Sequence, residues 1–306
     1  MALSAALFTW PLLFVGGLVT TYRVGMSVPD WPTTFGINMF LFDMYNTSWG
    51  VRIEHVHRLA GAAVGFFTIF LMLDFLFFGK GWKIKAGGVL ALLAVIAQGV
   101  LGGIRVRQNS TWLAAVHGCT GQLFFAYLLF LVVVTGRAWK APSTLFEGSK
   151  GLRFRAVWML CLIYGQVVAG AWLRHFPSFP SLTVHAVLAL AVAAHVVAAV
   201  VQVERDRVRF ASLVPSARVL LAALSLQLVL GVAAWWVLRP FNGVARDVSI
   251  LQALFRTGHQ ANAALLLGAA VVFAARSVRG FASSAVSPVT APLAASSTPW
   301  GREALA

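Results

Sequence analysis

Apolar runs near 20 residues recur from one end of the chain to the other. Short polar stretches rich in Arg, Lys, Gly and Pro separate them. One helix needs about 20 apolar residues to cross a bilayer core. The pattern predicts eight spans, at 5–22, 55–78, 86–104, 112–135, 155–173, 182–203, 217–238 and 257–275. The short alternating segments of a transmembrane barrel are absent from the sequence. The first run lacks the positive flank of a signal peptide and reads as a span. Residues from 281 on are rich in Ser, Ala and Pro and predict a disordered tail. The fold class is an all-α integral membrane protein.

The eight spans fall into two similar sets. "QGVLGG" from Gln98 returns as "QLVLGV" from Gln227, and His57 and His117 return as His185 and His259. A longer loop at 239–256 accounts for the wider second offset. "QVVAGAWLR" from Gln166 closes the fifth span as "VGGLVTTYR" closes the first. The chain reads as two tandem four-helix bundles related by a pseudo-twofold repeat, at 1–140 and 141–280, followed by the tail at 281–306.

Composition agrees. Hydrophobic residues make up 59% and charged residues 11%, against about 25% charged in a soluble domain. The net charge of +15 does not predict nucleic-acid binding, because the basic residues sit in short loops between apolar runs. All the lysines, with arginines of 137–155, 205–218 and 276–302, fall on the side that carries the N-terminus. The opposite side carries arginine alone, including Arg23, Arg52, Arg58, Arg105 and Arg174. This asymmetry predicts a multi-pass protein of the cytoplasmic (inner) membrane with both termini cytoplasmic. Arginine is also the residue best suited to bind carboxylates. Cys119 and Cys161 lie inside apolar runs and read as small buried side chains, so no structural disulfide is expected.

His57, His117, His185 and His259 open the second, fourth, sixth and eighth spans. Those spans run in one direction, so all four imidazoles lie within a turn or two of the outer face. In an up-down bundle the even spans stand on a diagonal, roughly 11–14 Å apart. Two imidazoles facing a central iron fit that gap. One turn deeper stand Gly61, Gly121, Ala189 and Ala263, small enough to leave room for a flat macrocycle. A lone intramembrane histidine is often only a helix contact; four at equivalent places read as ligands. A bare zinc or copper site fits less well, because three of the four have no cysteine or acidic neighbour. His55 and His57 are 200° apart around a helix and point opposite ways; Glu54 shares the face of His57. His55 is assigned to the interface, His175 to a short outer loop beside Arg174, and His195, deeper in the membrane, to packing or helix contact.

"GMSVPDWP" at Gly25–Pro32, "IEHVHRLAG" at Ile53–Gly61, "QGVLGGIRVR" with "VHGCTGQ", and "FRTGHQANAALLL" together resemble the heme A synthases, over about residues 8–275. These membrane enzymes convert heme O to heme A for terminal oxidases. The resemblance implies that His57 and His117 are the ligands of a substrate-heme site in the first half, with Glu54 catalytic. It implies that His185 and His259 are axial ligands of a heme b in the second half. It implies oxidation of one porphyrin methyl to a formyl by two successive hydroxylations. Arg52, Arg58, Arg105 and Arg174 are then candidates to meet heme propionates, and Asp30 and Trp31 belong to an ordered lid. Heme O synthase and terminal-oxidase subunits become candidate partners beside membrane lipid, and a homo-oligomer is left open. Some relatives carry an outer-loop cysteine pair that this chain lacks, and the loop "RHFPSFPS" is short. A di-heme b-type electron carrier working with quinone explains the four histidines equally well but gives Glu54 no role. An inactive heme-handling factor is a third reading.

Overall fold

The computed structural model describes residues 1–140, 150–238 and 247–280. The expected tail at 281–306 and most of the loop before the last span lie outside the described residues. Nine helices are formed among them: α1 (Ala2–Thr21), α2 (Trp49–Phe78), α3 (Trp82–Arg107), α4 (Thr111–Thr135), the single turn α5 (Arg137–Lys140), α6 (Lys150–His175), α7 (Phe179–Arg205), α8 (Val214–Val237) and α9 (Ile250–Arg279). All but α5 are long and apolar enough to cross a membrane, and the chain is a multi-pass membrane protein.

Each expected span is present, but most helices overrun the apolar runs. The helix at Glu54 and His57 starts at Trp49, and the last starts at Ile250. Backbone hydrogen bonding continues where side chains turn polar at the membrane surface, and local caps fix the starts. The Ser110 hydroxyl accepts the Leu113 N–H at 3.2 Å. Ser178 with Ser181, and Ser249 with Gln252, form reciprocal capping boxes.

Neighbour contacts close two rings. The first joins α1 to α2, α2 to α3, α3 to α4 and α4 back to α1; the second joins α6, α7, α8 and α9 in the same way. In the first ring α2 and α4 stand on a diagonal, as do α7 and α9 in the second. The rings meet where α9 packs on α1 and α4, and α4 on α6. Polar contacts stitch this seam: Trp10 Nε1 donates to the Ala261 carbonyl at 3.1 Å, and the Thr21 and Thr257 hydroxyls lie 3.2 Å apart. Small residues and side-chain hydrogen bonds hold helices together where lipid removes the hydrophobic drive between them. Large side chains such as Phe70, Phe77, Val187 and Val229 point outward, as a lipid-facing surface requires.

Candidate functional site

Every one of the four histidines rests against a glycine on the preceding membrane helix. A Cβ on Gly16 would lie 2.9 Å from His57 Cε1, on Gly102 3.2 Å from that of His117, on Gly170 3.0 Å from that of His185, and on Gly231 2.9 Å from that of His259. A side chain at Gly16 or Gly231 would force the imidazole to shift, and one at Gly102 or Gly170 would press it by a few tenths of an ångström, so hydrogen at Cα is what lets the imidazole lie this close to the helix. Gly102 and Gly231 occupy the same place in the two "QxVLG" stretches, and Gly170 sits in "QVVAG". These echoes are visible in the sequence, but they give the glycines no role there. The small residues that matter lie on the preceding helix, not one turn deeper on the histidine's own helix. At Gly61 a Cβ would meet nothing within 4 Å, so that position borders open space.

The histidines pair across the diagonals. His57 on α2 and His117 on α4 have ring centres 6.4 Å apart with planes at 87°. His185 on α7 and His259 on α9 have ring centres 6.2 Å apart at 79°. Two imidazoles ligating one first-row metal from opposite sides, each nitrogen ~2.0–2.1 Å from it, place their ring centres roughly 6.3 Å apart. Both pairs therefore have the span of a two-imidazole axial site. Each supplies two ligands only; among the described residues no three His, Cys, Asp or Glu side chains gather into a metal-binding group. The geometry suits a metal whose other ligands belong to a macrocycle better than a bare ion.

The surroundings of the pairs differ. His185 and His259 are tied by glutamines. Gln166 Nε2 donates to the His185 carbonyl at 3.0 Å and lies 3.1 Å from His185 Nδ1. His259 Nδ1 donates to the Gln227 carbonyl at 3.2 Å. The Leu12 and Gln98 carbonyls lie near His57 and His117, yet neither Nδ1 completes a hydrogen bond.

Over the first pair lies the connection from α1 to α2, residues 22–48. Arg58, the residue after His57, ties it down. Its Nη1 donates to the carbonyls of Asp30 (2.6 Å) and Thr33 (3.0 Å), and its Nη2 to the Val28 carbonyl (2.8 Å) and to Glu54 Oε1 (3.1 Å). Glu54 is 2% exposed, and its Oε2 accepts the Val28 N–H at 3.0 Å. His55, buried on the opposite face of α2 from His57, reaches the Thr34 hydroxyl at 3.2 Å. The Trp31 ring lies against Gly103, the neighbour of the His117 cradle glycine. The lid's outer turn, residues 34–37, has positive φ at Phe35 (51°) and Gly36 (77°), a primed turn that favours glycine. Asp30 holds it by accepting the Thr33 hydroxyl and the Phe35 and Gly36 N–H groups. Burial pushes the Asp30 carboxyl up, but these hydrogen bonds outweigh it and hold the group at about 2.

The four arginines named from the sequence occupy different settings. Arg58 is committed to the lid. Arg52 is exposed on α2. The Arg105 guanidinium lies where a Cβ on Gly25 would be 2.9 Å away. Arg174 Nη2 donates to the Gly17 carbonyl (2.9 Å) and to Thr21 Oγ1 (2.6 Å), while its buried Nε has no partner. His175 ends α6 beside Arg174, and His195 Nδ1 bonds the Ala191 carbonyl of its own helix at 2.9 Å.

Residues 1–182 match the family described as "Cytochrome oxidase assembly protein", COX15-CtaA. The match takes in His57, His117, the lid and Arg174, and stops three residues before His185. A search of curated proteins finds no match.

Proposed function

The chain belongs to the COX15-CtaA family of cytochrome oxidase assembly proteins, and from that premise we propose that it is a heme A synthase. The proposed reaction oxidises one methyl group of heme O to the formyl group of heme A. Each hydroxylation converts a C–H to C–OH and, with oxygen from water, releases two electrons and two protons to an external two-electron acceptor; the first gives a hydroxymethyl group, and the second gives a gem-diol that loses water. The observation that carries this reading is the lidded pair His57/His117, two imidazoles at ligating separation beneath a loop clamped by Glu54 and Arg58.

In this reading His57 and His117 hold the substrate heme, and His185 and His259 hold a resident heme b. The two rings are the halves of a tandem repeat, divided near residue 140. A bound heme b would supply one-electron redox chemistry. The chain's own residues do the rest. The cradle glycines let the Cε1 edge of each imidazole come close against the preceding helix. The lid carries Trp31 onto Gly103 and keeps water from the first pair. Arg105 and Arg174, whose guanidiniums still have donors to offer, meet propionates. Glu54 has filled only two of about four acceptor positions, so its carboxylate can still hold a proton or face positive charge developing at the substrate. Its ion pair with Arg58 favours a second role for Glu54, holding the lid closed. Both termini are placed in the cytoplasm and the lid outside, in the inner membrane, beside heme O synthase and terminal-oxidase subunits.

Heme extraction with mass identification tests the reaction. Protein purified from cells that make heme O is expected to yield heme A or its hydroxymethyl precursor along with heme B. Heme B alone, with added heme O returned unchanged, would instead make the chain an electron carrier.

A further inference from the structure

In three of the four histidine cradles the residue one turn before the glycine is glutamine: Gln98 before Gly102, Gln166 before Gly170 and Gln227 before Gly231. In the fourth, Leu12 stands before Gly16. The glutamines of the second half engage their histidines. Gln166 Nε2 reaches both the carbonyl and Nδ1 of His185. The Gln227 carbonyl accepts from His259 Nδ1, its Nε2 lies 3.4 Å from His259 Nε2, and its Oε1 is fixed by Asn262 Nδ2 at 2.8 Å. In the first half the Leu12 and Gln98 carbonyls stand beside His57 and His117 as the Gln227 carbonyl stands beside His259, though neither Nδ1 completes the hydrogen bond, and no side-chain amide reaches either ring. Leu12 offers no polar side chain, and the Gln98 amide turns toward Gly121.

We infer that Gln166 and Gln227 are positioning residues that retain the group bound between His185 and His259, and that the first half omits this clamp so that its heme can enter and leave. The inference rests on the reading of the histidines as heme ligands. Ligation through Nε2 requires the proton on Nδ1, and that proton needs an acceptor. For His259 the Gln227 carbonyl provides it. For His185 the Gln166 amide, held by its hydrogen bond to the His185 carbonyl, lies against Nδ1 and fixes the ring's orientation. A partner on the distal nitrogen fixes ring orientation and raises ligand basicity, and its loss costs about 10–100-fold in metal affinity. A resident cofactor gains from that. A substrate that must be released as product does not, and in the first half the lid can do the confining instead.

The test is the rate at which purified, heme-loaded protein surrenders each heme to excess apomyoglobin. Absorbance follows the transfer, and mass analysis identifies which heme has left. Electron paramagnetic resonance of the ferric protein reports ligand orientation independently of activity. Gln166→Leu is expected to speed loss of heme B about 10–100-fold and to shift its low-spin g-values. Gln227→Leu, which keeps the backbone carbonyl, should do so less. Leu12→Gln is expected to slow release from the first half. Wild-type loss rates and unchanged g-values in Gln166→Leu overturn the inference. His185→Ala separates the two levels: loss of heme B there with none in Gln166→Leu rejects only the glutamine's role. Retention of heme B in His185→Ala would reject the ligand assignment and the inference with it.

Discussion

The two halves hold the same pair of histidines on the same diagonal, against the same kind of glycine, and differ in nearly everything above it. In the first half residues 22–48 fold over the pair; in the second, residues 176–178 alone join α6 to α7. Glu54 and Arg58 flank His57, whereas Leu182 and Ala186 stand at the same spacings around His185. Gly103 receives Trp31, whereas Val232, its counterpart after Gly231, is 64% exposed. Among the described residues, the second pair is tied by glutamine side chains and has no loop folded over it, and the first is covered by the lid and has no such side-chain tie. On the proposed reading, the common geometry sets what can bind and the differences set whether it stays or reacts.

Breaking the common part should have the largest effect. Gly231→Val and Gly16→Val each drive a side chain into an imidazole. Overpacking costs about 1–3 kcal/mol, roughly ten- to a hundredfold in occupancy of the affected site. Gly231→Val should empty the second half of low-spin heme, and Gly16→Val should stop heme A formation with heme B intact. If either variant emptied both halves, with the protein still folded, the halves would not be separate sites.

A smaller change sharpens the contrast. Glu54→Gln keeps size and much of the hydrogen bonding but removes the charge. We expect normal heme B, no heme A, and accumulation of heme O or a partly oxidised form. Wild-type heme A yield would remove Glu54 from the chemistry. Loss of both hemes with poor expression would leave it as the partner of Arg58 alone.

The smallest effect belongs to the lid's outer turn. Asp30 titrates lower in the folded lid, at about 2, than its ordinary 3.8. Its stabilising contribution is therefore complete above 3.8 and lost as pH falls through about 2. Backbone hydrogen exchange at 33–37 should rise over that window. Asp30→Asn should flatten the dependence, and an unchanged profile in that variant would assign it to another group.

The spans, the histidine diagonal and the opposed faces of His55 and His57 were legible because each follows from helical periodicity. The cradle glycines were not. With 27 glycines in the chain, nothing in composition marks the four that meet an imidazole on another helix. The register of "QxVLG" against the next histidine was the available clue. The lid clamp was harder still. Arg58 binds carbonyls 25–30 residues away, and every residue has a carbonyl, so no pattern of side chains records which ones it chooses. The ion pair to Glu54, at i,i+4, was visible as a spacing; its burial under a loop was not.

The central claim is that the pairs are separate sites, one for a substrate and one for a resident heme. Heme content by mass, measured side by side in His57→Ala and His185→Ala, tests it most directly. The account predicts heme B without heme A in His57→Ala, and loss of the tightly held heme B in His185→Ala. Wild-type heme A in His57→Ala, or full heme B in His185→Ala, would contradict it.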